Sequence, residues 1–182
     1  MSHYRRANTS NATYFFTVVT YRREAFLCDE SVRDALRNAI IKVQTQYSFE
    51  IDAWVLLPDH MHTIWTLPEN DANFSLRWQL IKRYVTRECG AYLNRPEWLN
   101  TSKIKHQEAT LWQRRFWEHQ ICGDSDYQTH MDYCHFNPVK HGLVKRVQDW
   151  PYSSFHKYVI LSQYPLDWAG QGLAEVGEFG DD

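Results

Sequence analysis

The chain has 182 residues and a mass of 21.8 kDa, and 43% of its residues are hydrophobic, enough for one full-sized core and too few for two. Its formal charge of −2 hides a division: five acids (Asp167, Glu175, Glu178, Asp181, Asp182) follow the last basic residue, Lys157, and without them 17 acids face 20 Lys and Arg, a body of +3. No apolar run nears the roughly 20 residues of a membrane helix, the opening MSHYRRANTSN is polar, and Cys28, Cys89, Cys122 and Cys134 show no paired spacing, so we expect no membrane span, no disulfide and a soluble, cytoplasmic protein.

In chain order, TYFFTVVTY (Thr13 to Tyr21) is rich in β-branched and aromatic residues and predicts a strand. Asp29 then stands as an N-cap before Val32, Leu36, Ile40, Val43 and Tyr47, which recur at helical spacing. FEIDAWVLL (Phe49 to Leu57) alternates as a strand does, and PD turns it into HMHTIWTL, which predicts a β-hairpin. Leu76, Leu80, Ile81, Tyr84 and Val85 mark a second amphipathic helix whose other face carries Gln79, Lys82, Arg83 and Thr86. Gly90 to Gln113 has no period and contains Pro96, and is expected to be a long loop or insertion. RFWEHQIC (Arg115 to Cys122) predicts a strand, and DSDYQTHMDYCHF a helix running to Pro138, with Asn137 expected just past its last turn because it precedes proline.

This order, β-α-β-β-α-β with an additional C-terminal helix, predicts an α+β, ferredoxin-like (RRM or palm-like) antiparallel sheet with the first and third strands central. Helices are expected on one face, leaving the other available. Residues 1–160 are expected to form one catalytic domain and 161–182, with four of the seven glycines, an acidic glycine-rich tail. The charge pattern raises the possibility that this tail folds back on the basic face and competes with its ligand, or that it is only a solubilising end.

His60 and His62 lie two apart on the predicted third strand, so both side chains share one face and can converge on a metal ion, whereas Met61 points the other way. A buried, hydrogen-bonded histidine pair is the competing reading. In the last helix Tyr133 and Asn137 are four apart and share a face, a phenol and an amide oxygen presented together. Packing and capping are the plain alternatives for these two. Between Ser75 and Arg115 nine Lys and Arg oppose three Glu, and Trp98, Trp112 and Trp117 are interleaved, a composition suited to phosphates and stacked bases.

The HMH strand, followed by DYCHFNPVKHGLV and DWPYSSFHKY, resembles the REP-associated tyrosine transposases, a branch of the single-tyrosine HUH transposases. The similarity runs from YRR at Tyr4 through AWVLLPDHMHTIWTLP and RRFWEH to YPLDWAG. It implies His60 and His62 as metal ligands, Tyr133 as nucleophile and Asn137 as third ligand, where other single-tyrosine enzymes often carry Gln. It further implies a divalent metal, Mg²⁺ or Mn²⁺, and a single-stranded REP hairpin DNA substrate, cleaved and rejoined through a 5'-phosphotyrosine by a monomer. Candidate DNA contacts are Arg5, Arg6, Lys82, Arg83, Arg87, Trp112, Arg114 and Arg115. Competing readings are a non-catalytic hairpin-binding repressor, an RRM-like RNA binder, whose third strand would carry a basic-aromatic motif instead of HMHTIW, and a metallohydrolase using water.

Overall fold

The computed structural model describes residues 12–170 and 179–180. Four strands, β1 (Thr13–Val19), β2 (Glu50–Leu56), β3 (His60–Thr66) and β4 (Trp117–Gln120), form one antiparallel sheet in the order β2-β3-β1-β4. Strands β1 and β3 are therefore central, and the ferredoxin-like α+β arrangement expected from the sequence is present. Both central strands are buried on both faces, so β1 reads as a largely apolar run, whereas β3 buries the polar His60, His62 and Thr63 among Met61, Ile64 and Trp65.

Helices α1 (Glu30–Gln46) and α2 (Phe74–Leu93) pack side by side on one face. There Tyr14, Phe16, Val18, Met61 and Trp65 from the sheet meet Val32, Ala35, Trp78, Ile81 and Val85. Trp65 and Trp78 stack face to face with ring centroids 4.2 Å apart. The start of α2 is fixed by Asn73, whose side-chain oxygen accepts from the Leu76 amide. Arg77, 1% exposed, ties this start to the end of α1: it donates to the Tyr47, Ser48 and Asn73 carbonyls and, through both terminal nitrogens, to Asp71.

The segment expected to be a long loop differs from that expectation. Helix α2 runs on to Leu93 because Ile81, Val85, Cys89 and Leu93 continue one apolar stripe, which overrides the low helix propensity of Gly90. A short helix, α3 (Thr101–Lys105), follows, and the rest is tied down by Asn94, whose side chain accepts from both the amide and the hydroxyl of Thr110.

The second face of the sheet is not open either. Helix α4 (Asp124–Lys140) lies across it, and α5 (Phe155–Ile160) completes a second core of Phe15, Ala53, Val55, Ile64, Met131, Cys134 and Phe155. Pro138 does not end α4, so Asn137 lies within the helix rather than past it. Proline removes one amide from the ladder. The turn survives because the His141, Gly142 and Leu143 amides bond the carbonyls of Asn137, Val139 and Pro138. The packed body also continues past residue 160: Tyr164 is buried against Phe155, and Trp168 packs on Tyr164.

Candidate active site

The register of β1 on β3 pairs Val19 with His60 and Thr17 with His62. Both histidines face the second core, with ring centroids 5.0 Å apart, and are essentially fully buried. Each is held at Nδ1. His60 Nδ1 lies 2.7 Å from Asp59 Oδ1. Burial alone would raise the Asp59 carboxyl, but the hydrogen bond and charge of His60, with Arg23 beside it, bring it down to about 2. Asp59 is thus the acceptor and His60 Nδ1 the donor of this bond, which turns Nε2 away from the carboxylate.

A similar argument fixes His62. Its Nδ1 lies 2.8 Å from Thr17 Oγ1, and that hydroxyl donates its single proton to the Phe179 carbonyl at 2.6 Å. Thr17 can only accept from His62, so Nδ1 is again the donor and Nε2 is the nitrogen turned away from Thr17. Second partners of this kind orient metal-binding imidazoles.

Helix α4 brings the other polar groups. Tyr133, 3% exposed, packs edge-on against His62 with centroids 5.3 Å apart, and the Cys134 thiol lies 3.8 Å from the His62 carbonyl. At the far end of the helix the exposed His141 ring sits 5.0 Å from that of His60. Asn137, fully buried, falls one turn after Tyr133 and one before His141, on the strip of helix that faces β3. His60 Nε2 and both polar atoms of the Asn137 side chain meet no hydrogen-bonding partner among the described residues. Bare imidazole nitrogen and amide oxygen, buried and unsatisfied, form a donor set that fits a divalent cation.

The nucleophile candidate has a cation beside it. Lys140 Nζ donates to the Tyr133 hydroxyl at 2.9 Å and lies 4.6 Å from the ring centroid. The Phe179 amide also donates to that oxygen at 3.3 Å. Next to this centre His119, Asp126 and His130 form a further group whose possible ligand atoms lie within 4.8 Å of one another. Asp126 accepts there from His119 Nε2 and the Cys122 amide. His130 is held by the Asp126 carbonyl at 2.9 Å and its carboxylate at 3.0 Å, and burial pushes the His130 imidazole below its ordinary range.

The described residues expected to hold DNA line three depressions, two of which share Arg114. Lys82, Arg83, Trp112 and Arg114 line a cavity of about 500 Å³ between α2 and the segment before β4. Arg87 belongs to a separate cleft with Lys42 and Tyr84, and Arg115 to one with Tyr21 and Lys103. Trp112 is 8% exposed and packs on Phe26, so little of its ring is offered for stacking. Arg77 and Lys103, part of the same basic count, are buried structural cations. Arg5 and Arg6 lie outside the described residues.

Sequence reasoning did not find Thr17, Lys140 or Phe179. Lys140 stands seven residues after Tyr133, two turns along one helix face, a spacing from which it could have been found. Thr17 is marked only by the strand register, and Phe179 by nothing local.

Residues 8–136 match the family described as Transposase IS200 like. The REP-associated tyrosine transposase of Escherichia coli (strain K12) is 48% identical over 170 residues, covering 93% of this chain and 92% of that protein. A Haemophilus influenzae protein described in the same terms is 42% identical over 174 residues, covering 93% of this chain and 94% of its own. A solved structure of a REP-associated tyrosine transposase bound to a REP hairpin superposes with a TM-score of 0.83 at 46% identity, covering 100% of this chain and 98% of that one.

Proposed function

This chain belongs to the IS200-like transposases, in their REP-associated tyrosine branch, and from that membership we propose that it cleaves and rejoins single-stranded DNA at REP-type hairpins through Tyr133. The observation that carries the reading is the Tyr133 hydroxyl, which is packed against one histidine of the HMH strand and holds a lysine ammonium on its oxygen.

In the reaction the phenol oxygen attacks phosphorus in line with the departing 3'-oxygen. The P–O3' bond breaks, the phenolic proton passes to solvent, the 3'-oxygen takes up a proton, and the 5'-phosphate remains on Tyr133. Lys140 stabilises the phenolate left when the phenolic proton departs and, in the reverse step, the negative charge that returns to that oxygen as the P–O bond to Tyr133 breaks. A phenol with a reference pKa of about 10 leaves more readily than an aliphatic alcohol, so a free 3'-hydroxyl can reverse the step without an energy source. His60, His62 and Asn137 would hold Mg²⁺ or Mn²⁺, which supplies Lewis-acid polarisation of the phosphate when bound. Asp59 and Thr17 keep both imidazoles in the tautomer such binding requires.

A complete set of these groups comes from one chain, because α4 lays Tyr133 against the histidines of its own sheet. This supports action as a monomer. Among the described residues no helix is long and apolar enough to cross a membrane. The covered position of Tyr133, under the Phe179 amide, favours one second reading: a hairpin-binding repressor that keeps the fold without cutting.

Mixing the protein with labelled REP-type hairpin DNA and Mn²⁺ separates the two readings. A denaturing gel should show a protein-linked DNA band, absent without metal and in Tyr133→Phe. Binding without any covalent band, across several hairpins, selects the repressor. Cleavage surviving Tyr133→Phe would make water the nucleophile and overturn the proposal.

A further inference from the structure

The Phe179 side chain fills a slot made of four rings. Its centroid lies 4.5 Å from His130, 4.7 Å from Tyr133, 5.9 Å from Trp117 and 6.1 Å from Phe15. The His130 ring is a fixed platform: it also stacks on His119 at 4.6 Å with the planes 13° apart, and Asp126 pins its Nδ1. Phe179 thus packs, with its plane tilted 36° to that of His130, against a pair of stacked rings that the protein has already built.

The occupant is also gripped through its polar atoms, and by groups of the reaction centre itself. Its amide donates to the Tyr133 oxygen and its carbonyl accepts from Thr17, the hydroxyl that orients His62. The chain then passes so close to Trp117 that a Cβ on Gly180 would lie 2.5 Å from the Trp117 Cβ, at a φ of +75°. In sequence this ring is bracketed by Glu178 on one side and Asp181 and Asp182 on the other. A flat ring between negative charges in sequence, packed at a tilt on imidazole and hydrogen-bonded beside a nucleophile, has the chemical outline of a nucleotide between its phosphates.

We infer that this slot is the seat of one unpaired nucleobase of the DNA strand, next to the bond that Tyr133 attacks, and that Phe179 stands in for that base. The inference rests on the proposed tyrosine chemistry for its location, but not for the existence of the slot. Aromatic rings, met at a tilt or edge-on, make up its walls, so it accepts any base by ring contact rather than reading one by its hydrogen-bonding edge. Its consequence is positional: seating one base there fixes the neighbouring phosphate against the Tyr133 oxygen.

The test uses full-length protein carrying Tyr133→Phe, in EDTA, so that its readout depends neither on cleavage nor on metal. REP-type hairpins carry 2-aminopurine at one unpaired position at a time beside the foot of the stem, and binding is followed by fluorescence with and without Phe179→Ala. With Phe179→Ala, one position should be quenched severalfold on binding, and an abasic site there should weaken binding roughly tenfold, the order of one lost base–aromatic stack. Adding His130→Ala, with Trp117→Leu as a second variant should the first fail to fold, should remove the quench and leave hairpin binding in place. If Phe179→Ala protein binds the hairpin and every 2-aminopurine stays bright, or if the quench is indifferent to both slot variants, the inference is overturned. Absence of hairpin binding altogether overturns this inference together with the proposed function. Quenching with no covalent band from the Tyr133-containing protein would keep the slot and sink the tyrosine chemistry alone.

Discussion

Lys140 Nζ sits 2.9 Å from the Tyr133 hydroxyl oxygen, donating to it from two turns further along α4. A lysine held there is in place for the developing charge before DNA arrives, so its contribution requires no rearrangement during the reaction. Lys140→Met should slow formation of the DNA–tyrosine link by about 10²-fold, the scale for losing one such donor, with hairpin affinity little changed. Lys140→Arg, which keeps a cation within reach, should recover part of the rate. Single-turnover gels and a binding titration check both; equal losses of rate and affinity would make Lys140 a DNA-binding residue instead.

Thr17 offers a sharper probe of the histidine pair, since valine replaces the hydroxyl at nearly constant shape. Without the hydroxyl, His62 Nδ1 loses its acceptor and the imidazole is no longer held to one tautomer. Thr17→Val should weaken Mn²⁺ binding by about 10- to 100-fold, the usual effect of removing a group that orients a metal-binding histidine. Calorimetric titration of Mn²⁺ into the DNA-free protein reads this directly. Unchanged affinity in a variant of unchanged melting temperature would show that the Thr17 hydroxyl does not orient a metal ligand.

The acidic end of the chain competes with DNA if Phe179 must leave before a phosphate can reach Tyr133. A cut after Ser162 is the wrong test, because it also removes Tyr164 and Trp168, which belong to the second core. A cut after Gly170 spares both. It should raise the rate of covalent complex formation severalfold, and Phe179→Ala should reproduce part of the gain. Equal rates for the full and shortened chains, measured at low salt where the acids act most strongly, would leave the tail as a solubilising end.

The hairpin carrying His60 and His62 was legible because strand alternation and a PD turn are local signals, and the sheet order followed from the element order. What covers the second face was not. Helix α4 buries His130, His135 and Asn137 beside Met131, Tyr133 and Cys134, so polar residues stand at inward positions and blur the apolar stripe by which a packed helix is usually recognised. Polar burial of this kind is concentrated where the candidate chemistry lies. The basic count between Ser75 and Arg115 misled in the opposite sense, since Arg77 and Lys103 spend their charge inside the fold on carbonyls and carboxylates. Charge along a sequence does not distinguish a cation that meets solvent from one that joins two helices.

Arg77 shows what such an interior cation does for stability. Its hydrogen bonds join the end of α1 to the start of α2, and Asp71 is its only charged partner among the bonds described. Asp71→Asn should destabilise the fold by roughly 1.5 to 3 kcal/mol, the range for a hydrogen bond to a charged group. The lower part of the range is favoured because Asp71 is a third exposed and water screens the pair. The Arg77 hydrogen bond holds the Asp71 carboxyl below its usual range. With the folded value depressed, the stabilisation is present above the unfolded pKa, about 3.9, and is lost as the pH falls through the folded value. Urea unfolding at pH 7 should therefore separate wild type from Asp71→Asn, and the gap should narrow below about pH 4. A gap that persists undiminished at pH 3 would mean that the carboxylate charge is not what secures Arg77.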